Sequence, residues 1–459
     1  MKSFKNIYSQ SNYISFEPLL KPSVDKKQNA LILGSSDGDK KPENCIFLGK
    51  IIESTSSLNL FQTNVWLDVT FPHVIYITGT RGSGKSFDLG VLIEGISELN
   101  KKTAIQGEFD RISSILIDTQ SQFWTLQYEP NSKIQENRSQ ISELAKWAIE
   151  PNSLKNCQIF IPPNSQKVLG TEIHLQLKPK DISFEDWCAL IDEDIYGPQG
   201  HILSEALNSL GGQNFSIGDL QNILRDDSRW PNVNLAARNA LIYKISDLDQ
   251  TNLFVPNGLD IFSFLKKGVC SILMLRDLRN EDKSIITSII ARQLFLKLGE
   301  YHKQNKISKF FGRSSASDPR LPQKVWLLID EAHVIAPSSS AKSAKKSLIE
   351  YVKRGRDAGL SLVLATQQPS AVDDQILSQV NLSFNHRLTF ANDINAAVAR
   401  IPTKTIGKIR IKSIEISRFD DMVRLLDAGE CFLGDHCASR NLLVKIRPRV
   451  TSHGGYSPI

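Results

Sequence analysis

The octapeptide GTRGSGKS at residues 79–86 carries the clearest chemical signal in the chain. Its fixed positions, Gly79, Gly84, Lys85 and Ser86, have the spacing of a phosphate-binding loop. In such a loop, backbone N–H groups and the dipole of the following helix converge on phosphate oxygens, and glycine lets the main chain approach closely. We expect Lys85 to reach the β- and γ-phosphates and the Ser86 hydroxyl to bind Mg²⁺. The predicted nucleotide-binding residues are Gly79, Thr80, Arg81, Gly82, Ser83, Gly84, Lys85, Ser86 and Phe87.

Two adjacent acids, Asp330 and Glu331, follow the apolar segment VWLLI. Carboxylates at the end of a buried strand are costly unless a cation offsets their charge. We therefore expect Asp330 to hold the magnesium ion through water, and Glu331 to polarise the water that attacks the terminal phosphate. The alternative is a surface turn after a strand, with no catalytic role.

Gln367, Arg354 and Arg356 are further candidates for phosphate chemistry. Gln367 follows the apolar segment LSLVLAT, at the strand end where ligand crevices lie in open parallel sheets, and is a candidate γ-phosphate sensor. A polar strand end without a ligand is the alternative. Arg354 and Arg356 lie on a predicted helix that turns at Gly359. They are candidate arginine fingers for a neighbouring subunit, although their spacing fits ordinary surface ion pairs equally well.

Strand and helix patterns predict the scaffold that positions these residues. The apolar segment HVIYIT runs directly into the glycine loop, and a helical apolar face follows the loop. Other apolar segments alternate with helical patterns, which favours an α/β fold with a doubly wound, mostly parallel sheet. The segments that indicate further buried strands include SSILID, CSILML, VWLLI and LSLVLAT.

Four regions are predicted along the chain. Polar composition indicates a flexible N-terminal arm over residues 1–40, and a short β-rich region follows over 41–72. The α/β core comprises 73–180 and 256–459. Helical periodicity, broken by the turns GPQG, LGGQ and RWPN, predicts a helical insertion over 181–255.

Composition restricts the class of protein. The 459 residues are 41% hydrophobic and 23% charged, as in ordinary globular proteins, and the net charge of +6 permits contact with nucleic acid without demanding it. The six cysteines form no C-x-x-C pair, so a disulfide-stapled secreted domain is excluded. With neither a signal peptide nor an 18-residue apolar segment in the sequence, we expect a cytoplasmic protein that does not enter a membrane.

The chain resembles the HerA branch of the HerA/FtsK ATPases over roughly residues 45–455, in GTRGSGKS, LLIDEAHVIAP, KRGRDAGLSLVLATQQPSAVDDQILSQVNLSFNHRL, LLDAGECFLG and KIRPRVTSHGG. The resemblance implies a RecA-like core that forms a homo-hexameric ring and uses ATP and Mg²⁺ to move along double-stranded DNA. It also implies a partner, either a nuclease that resects DNA ends or a sirtuin-like or other effector in antiphage defence. It assigns nucleotide and Mg²⁺ binding to Lys85 and Ser86, catalysis to Asp330 and Glu331, sensing to Gln367, and the finger to Arg354 or Arg356.

Two departures from the family pattern concern the N-terminus and the segment after Asp118. Only 78 residues precede Gly79, so we expect the N-terminal β-barrel of the family to be shortened or rebuilt. Gln122 stands where the family often carries a glutamate, whereas Asp118 is present. The rate of hydrolysis or its coupling is therefore expected to differ from that of other family members.

The DNA-binding residues are harder to predict from the sequence. Lys342, Lys345 and Lys346 would contact phosphates without reading base sequence, and a solvated lysine-rich turn fits them equally well. The predicted function is ATP-dependent translocation on, or unwinding of, double-stranded DNA. Two alternatives remain open: an ATP-binding oligomeric scaffold that regulates a defence effector with little translocation, and a DNA-pumping ATPase.

Overall fold

The protein is built on one large, mostly parallel sheet covered by helices on both faces. The computed structural model describes residues 24–25, 29–35, 42–52, 62–313, 321–338, 343–402, 409–411, 414–416 and 418–454. Its strands are β1 (Val24–Asp25), β2 (Ala30–Leu33), β3 (Cys45–Ile51), β4 (Asn64–Asp68), β5 (Val74–Thr78), β6 (Ser113–Asp118), β7 (Cys157–Ile161), β8 (Ile173–His174), β9 (Cys270–Met274), β10 (Val325–Ile329), β11 (Leu360–Thr366), β12 (Leu382–Asn385), β13 (Ile409–Ile411), β14 (Ile414–Ile416), β15 (Glu430–Asp435) and β16 (Arg440–Ile446). The α-helices are α1 (Lys85–Ile96), α2 (Gln135–Lys146), α3 (Phe184–Leu190), α4 (Pro198–Ser209), α5 (Ile217–Arg225), α6 (Leu235–Gln250), α7 (Asn280–Phe310), α8 (Ala332–Ile335), α9 (Ser343–Arg354), α10 (Asp374–Leu377), α11 (Ala391–Val398) and α12 (Phe419–Leu425).

The central strands form a parallel sheet in which the strand before the glycine loop is flanked on both sides. Strand β5, which leads into the glycine loop, lies between β12 and β11, and β10, β6, β9, β7 and β8 follow beyond β11. All these pairs are parallel. Thr366 lies opposite Thr78, and Ile329 lies opposite Leu364. The carboxyl ends of β5, β10 and β11 therefore meet at one edge of the sheet, which confirms the predicted fold class.

The other half of the sheet is mainly antiparallel and contains the N-terminal strands. From β12 the order continues through β15, β16, β3, β4, β2 and β1. The region 41–72, predicted to be rich in β-structure, supplies β3 and β4. The predicted arm over 1–40 is wrong at its end, because Ala30–Leu33 is a fully buried strand that pairs in parallel with β4. Apart from 24–25 and 29–35, that arm lies outside the described residues.

Each sheet face packs on its own hydrophobic core, as the alternation of side chains along β5 illustrates. Ile75 and Ile77 pack with α1, whereas Tyr76 belongs to a core that includes α7 and α9. The interval 181–255 contains helices α3 to α6, and Trp187 of α3 joins the same core as Tyr76. Within the described ranges, no helix combines the length and apolarity that crossing a membrane requires.

Candidate nucleotide-binding site

The glycine loop joins the end of β5 to the start of α1. Gly84 has φ 134°, a backbone conformation that side chains with a Cβ rarely adopt. A Cβ on Gly79 would come within 2.3 Å of Ser83 Oγ and 2.8 Å of His386 Cβ. These two positions therefore require glycine for conformational and steric reasons respectively.

Hydrogen bonds inside the loop converge on one carbonyl oxygen. The Thr80 carbonyl accepts from Ser83 N at 3.2 Å, Ser83 Oγ at 2.8 Å and Lys85 Nζ at 3.0 Å. Burial lowers the pKa of Lys85, and the nearby Glu331, Asp330 and Asp88 partly oppose this shift. The lysine ammonium therefore lies within the field of the two acids that were predicted as its partners.

The remaining predicted loop residues differ in exposure. Arg81 and Gly82 are exposed, while Thr80, Ser86 and Phe87 are half-buried. The Phe87 ring lies edge-on to His453, with centroids 5.7 Å apart. Arg81 therefore projects to solvent, whereas Phe87 packs against the C-terminal segment.

Asp330 is a buried carboxylate with no hydrogen-bonding partner at either oxygen among the described residues. Burial, together with the charges of Glu331 and Asp118, raises the pKa of Asp330 well above its usual value. A carboxylate is a hard oxygen ligand of the kind that Mg²⁺ prefers. Two uncompensated carboxylate oxygens next to the loop that carries Ser86 therefore fit a divalent cation.

Glu331 lies next to Asp330 in a strained backbone conformation. Its φ of 52° is in the left-handed region, which non-glycine residues enter at a cost and which is enriched at functional sites. Gln367 Nε2 donates a hydrogen bond to Glu331 Oε1, and His333 Nδ1 lies 3.3 Å from Glu331 Oε2. The structure thus brings Glu331 and the predicted sensor Gln367 into direct contact.

His333 is a member of this cluster that sequence reasoning missed. Its Nδ1 also lies 3.1 Å from Thr366 Oγ1, at the end of β11. Burial lowers the pKa of His333, and Glu331 opposes the shift. The sequence feature that could have indicated this role is its position two residues after Glu331. The one-turn helix α8 brings His333 near the carboxyl ends of the strands.

Arg354 and Arg356 lie at the opposite edge of the sheet from the loop. Both side chains are exposed, and they precede the first residue of β11, whereas Gln367 follows its last residue. Seven strand residues at about 3.3 Å each separate the two edges by roughly 20 Å. Neither arginine therefore reaches the nucleotide site of its own chain.

Asp118, at the end of β6, accepts hydrogen bonds from the backbone of the turn that follows it. Its oxygens accept hydrogen bonds from Gln120 N at 3.2 Å and Phe123 N at 2.9 Å. Burial raises the pKa of Asp118 to about 6, and these backbone hydrogen bonds oppose the shift. Asp118 therefore fixes the turn that carries Gln122.

The predicted DNA-contacting lysines have different environments. Lys345 Nζ forms an ion pair with Asp373 Oδ2 at 2.7 Å, so its charge is locally compensated. Lys346 is exposed on α9. Lys342 lies outside the described residues. Of the three lysines, Lys346 is therefore the one whose described surroundings best suit contact with a phosphate.

Comparisons with known proteins agree with the resemblance found in the sequence. "DNA double-strand break repair helicase HerA" of Pyrococcus furiosus is 21% identical over 147 residues, covering 29% of this chain and 27% of that protein. The protein of the same name from Sulfolobus acidocaldarius is 28% identical over 121 residues, covering 26% and 22%. The alignments thus span less than a third of either relative.

Two solved structures are similar to this chain at low sequence identity. VirB4 of Thermoanaerobacter pseudethanolicus has a TM-score of 0.49 and 12% identity, covering 87% of this chain and 96% of its own. Plasmid coupling protein TrwB, in complex with an ATP analogue, has a TM-score of 0.48 and 13% identity, covering 92% and 98%. The family model for the central domain of helicase HerA matches residues 46–294, which is more than half of the chain. The protein therefore belongs to the HerA helicase family.

Proposed function

We propose that this protein is an ATP-driven motor that moves along double-stranded DNA as a homo-hexamer, in partnership with a nuclease or a defence effector. The observation that carries the catalytic part of the proposal is Asp330. Within the described part of the chain this buried carboxylate has no hydrogen-bonding partner, and it lies beside Lys85 and the Glu331–Gln367 pair. Burying a carboxyl group that nothing compensates costs stability, and a role in binding a cation accounts for that cost.

In the proposed reaction, the loop N–H groups and Lys85 hold the phosphates of ATP. Ser86 and Asp330 would hold Mg²⁺, which would neutralise negative charge on the phosphates. Glu331 accepts a proton from the attacking water while the water oxygen bonds to the γ-phosphorus. The bond to the β–γ bridging oxygen breaks, and ADP leaves with that oxygen.

Gln367 would report on the γ-phosphate through its contact with Glu331. The Gln367 amide donates to Glu331, the carboxylate proposed to accept the proton of the attacking water. When the γ-phosphate leaves, Gln367 would lose a hydrogen-bonding partner beside Glu331. Gln367 follows β11, and Arg354 and Arg356 precede the same strand. A strand with a sensor at one end and an arginine at the other could link the chain's own site to the next subunit.

The hexamer is supported by the position of these arginines. An arginine finger stabilises the charge that develops on the transferred phosphoryl group, and it must come within contact distance of that group. Arg354 and Arg356 are exposed and roughly 20 Å from their own site, so they would serve a site in a neighbouring copy. A ring supplies such a neighbour to every subunit.

We propose double-stranded DNA as the substrate along which the motor moves. The reasons are family membership and the name of the relatives, DNA double-strand break repair helicase. The net charge of +6 and the exposed Lys346 are compatible with contacts to the phosphate backbone. The nuclease or sirtuin-like effector and the cytoplasmic location remain parts of the same proposal.

The test is ATP hydrolysis by the purified protein with and without linear duplex DNA, with the mass in solution recorded in parallel. Glu331→Gln is the control, because it keeps the side-chain size while removing the proton acceptor. Hydrolysis that rises with DNA in a hexamer and falls at least about a hundredfold in Glu331→Gln would support the motor. A hexamer that binds ATP but ignores DNA would overturn the autonomous motor and favour a nucleotide-dependent scaffold.

A further inference from the structure

A buried histidine, His386, lies directly against the glycine loop. It follows β12, the strand next to β5, and its side chain is completely buried. A Cβ placed on Gly84 would meet His386 Cε1 at 3.0 Å, and one on Gly79 would meet His386 Cβ at 2.8 Å. The His386 side chain therefore packs directly against both Gly79 and Gly84 of the loop.

Both ring nitrogens of His386 face oxygen atoms. Nδ1 lies 2.9 Å from the Glu430 carbonyl, and Nε2 lies 2.7 Å from Asp88 Oδ2. A carbonyl oxygen only accepts, so Nδ1 carries the proton in the first contact. The second contact requires a further proton, on either Nε2 or the carboxyl group. The ring therefore joins Asp88, one turn after Lys85 on α1, to the first residue of β15.

Backbone hydrogen bonds reinforce the same connection on either side of the ring. Thr80 N donates to the Arg387 carbonyl at 2.8 Å, and Gly429 N donates to the Ser83 carbonyl at 3.1 Å. The loop is therefore anchored near its beginning and near its end. Both anchors come from the segments that flank His386 and Glu430, which are far away in sequence.

Cys431 also approaches this pair, with Sγ and the two partner atoms within 4.8 Å of one another. Burial raises the pKa of the Cys431 thiol well above its usual value, which favours the neutral thiol over a metal-binding thiolate. Two tetrahedral ligands of zinc would lie about 3.3 Å apart, given metal–ligand distances near 2.0 Å. The 2.7 Å contact between Nε2 and Oδ2 is a hydrogen bond instead.

We propose that His386 and Asp88 form a positioning pair that holds the glycine loop in its nucleotide-binding shape before the nucleotide arrives. The proposal rests on nucleotide binding at this loop, which is part of the proposed function. A loop whose N–H groups already converge loses less conformational freedom on binding phosphate, so the pair should raise affinity through preorganisation. His386 itself lies beneath the loop and would act through it.

The test compares His386→Leu with a matched control, His73→Leu. His73 is equally buried and immediately precedes β5, at the end of the strand away from the loop. Its Nε2 lies 2.7 Å from the Asp68 carbonyl and its Nδ1 lies 3.0 Å from Asn381 Nδ2. Each variant loses a buried histidine with two hydrogen-bonded nitrogens, but only His386 touches the loop.

Two measurements separate a positioning role from a structural one. The first is the Kd for a fluorescent ADP, which we expect to rise about tenfold or more in His386→Leu and to stay within about threefold in His73→Leu. The second is amide hydrogen exchange of a peptide spanning residues 79–86 in the nucleotide-free protein. We expect this exchange to be faster in His386→Leu and unchanged in His73→Leu.

Asp88→Asn provides the conservative comparison. An asparagine amide can donate to Nε2 while Nδ1 still donates to Glu430, so both contacts survive and affinity should stay within about threefold of wild type. Equal Kd and equal loop exchange in His386→Leu and His73→Leu would overturn the proposal, as would stoichiometric zinc in the purified protein that disappears in His386→Leu. A wild-type protein that binds no ADP would refute the proposed function, while the exchange comparison would still decide the role of the pair.

Discussion

Replacing Glu94 with glutamine should destabilise the protein strongly, because this α1 carboxylate neutralises two buried arginines. Glu94, Arg447 and Arg449 are at most 1% exposed. Arg447 Nη1 lies 2.8 Å from Glu94 Oε2, and Arg449 Nε lies 3.5 Å from Glu94 Oε1. Together they join the C-terminal segment after β16 to the helix that begins at Lys85.

The hydrogen bonds of Glu94 define how much the substitution removes. Oε2 accepts from Arg447 Nη1 at 2.8 Å and Val450 N at 3.1 Å. Oε1 accepts from Thr451 N at 3.0 Å and Thr451 Oγ1 at 2.7 Å. Glutamine has nearly the same volume, but its NH₂ group replaces one of the two oxygens that accept these hydrogen bonds. On that side, donor groups would therefore face another donor. The substitution also removes the negative charge that lies 2.8 Å from the buried Arg447 guanidinium, which costs about 3–5 kcal/mol of unfolding free energy.

The assay is urea unfolding followed by tryptophan fluorescence, with Glu98→Gln as the matched control. Glu98 lies four residues further along and forms a 2.6 Å ion pair with Lys155, but both side chains are about half exposed. Losing that surface pair should cost less than about 1 kcal/mol. If Glu94→Gln unfolds within about 1 kcal/mol of the control, the claim that a buried charge network secures the C-terminal segment to α1 is refuted.

Three further predictions concern the proposed catalytic machinery. Because burial raises the pKa of Asp330, the folded state retains a proton that the unfolded chain loses, and stability falls as pH rises above the usual carboxyl range. Nucleotide-free Asp330→Asn should therefore melt above wild type at pH 8, by a margin that shrinks towards pH 5; a lower melting temperature at pH 8 would contradict this. The same variant should lose the Mg²⁺-dependent part of nucleotide stabilisation, measured by melting with ATP in Mg²⁺ or EDTA, and an unchanged Mg²⁺ effect would remove Asp330 from the metal site. Alanine at Arg354 or Arg356 should lower hydrolysis about a thousandfold without weakening nucleotide binding, whereas exposed Lys353→Ala should do neither, and equal rates in all three variants would exclude a finger from this helix end.

The sequence predicted the parts of the site that depend on short, contiguous segments. A phosphate loop needs a strand, a turn and a helix in succession, so eight residues contain most of the information. Glu331 and Gln367 were each predicted to lie at the carboxyl end of a strand. The structure brings them together because β10 and β11 are parallel neighbours.

The parts that escaped prediction depend on tertiary contacts between distant residues. Asp88 and His386 are 298 residues apart, and Glu94 and Arg447 are 353 residues apart. Nothing in local spacing indicates that an acid on an amphipathic helix will meet a particular histidine or arginine. The strand Ala30–Leu33 was missed for a related reason, since its stability comes from burial and pairing with β4 rather than from its polar surroundings in sequence.

The nucleotide site and its supports extend well beyond the part of the chain that defines the family. The matched segment ends at residue 294, yet the strands that flank β5, namely β11 and β12, both lie after it, as do the two acids at the end of β10. The partners of the two buried acids of α1 also lie after residue 294, because Asp88 contacts His386 and Glu94 contacts Arg447. Residues 46–294 therefore contain the loop with Lys85 and Ser86, but neither the two acids at the end of β10 nor the strands that flank β5. The segment after 294 is part of the same unit. Without it, the loop would lack both strands that flank β5 and the two acids proposed to act on the cation and the water.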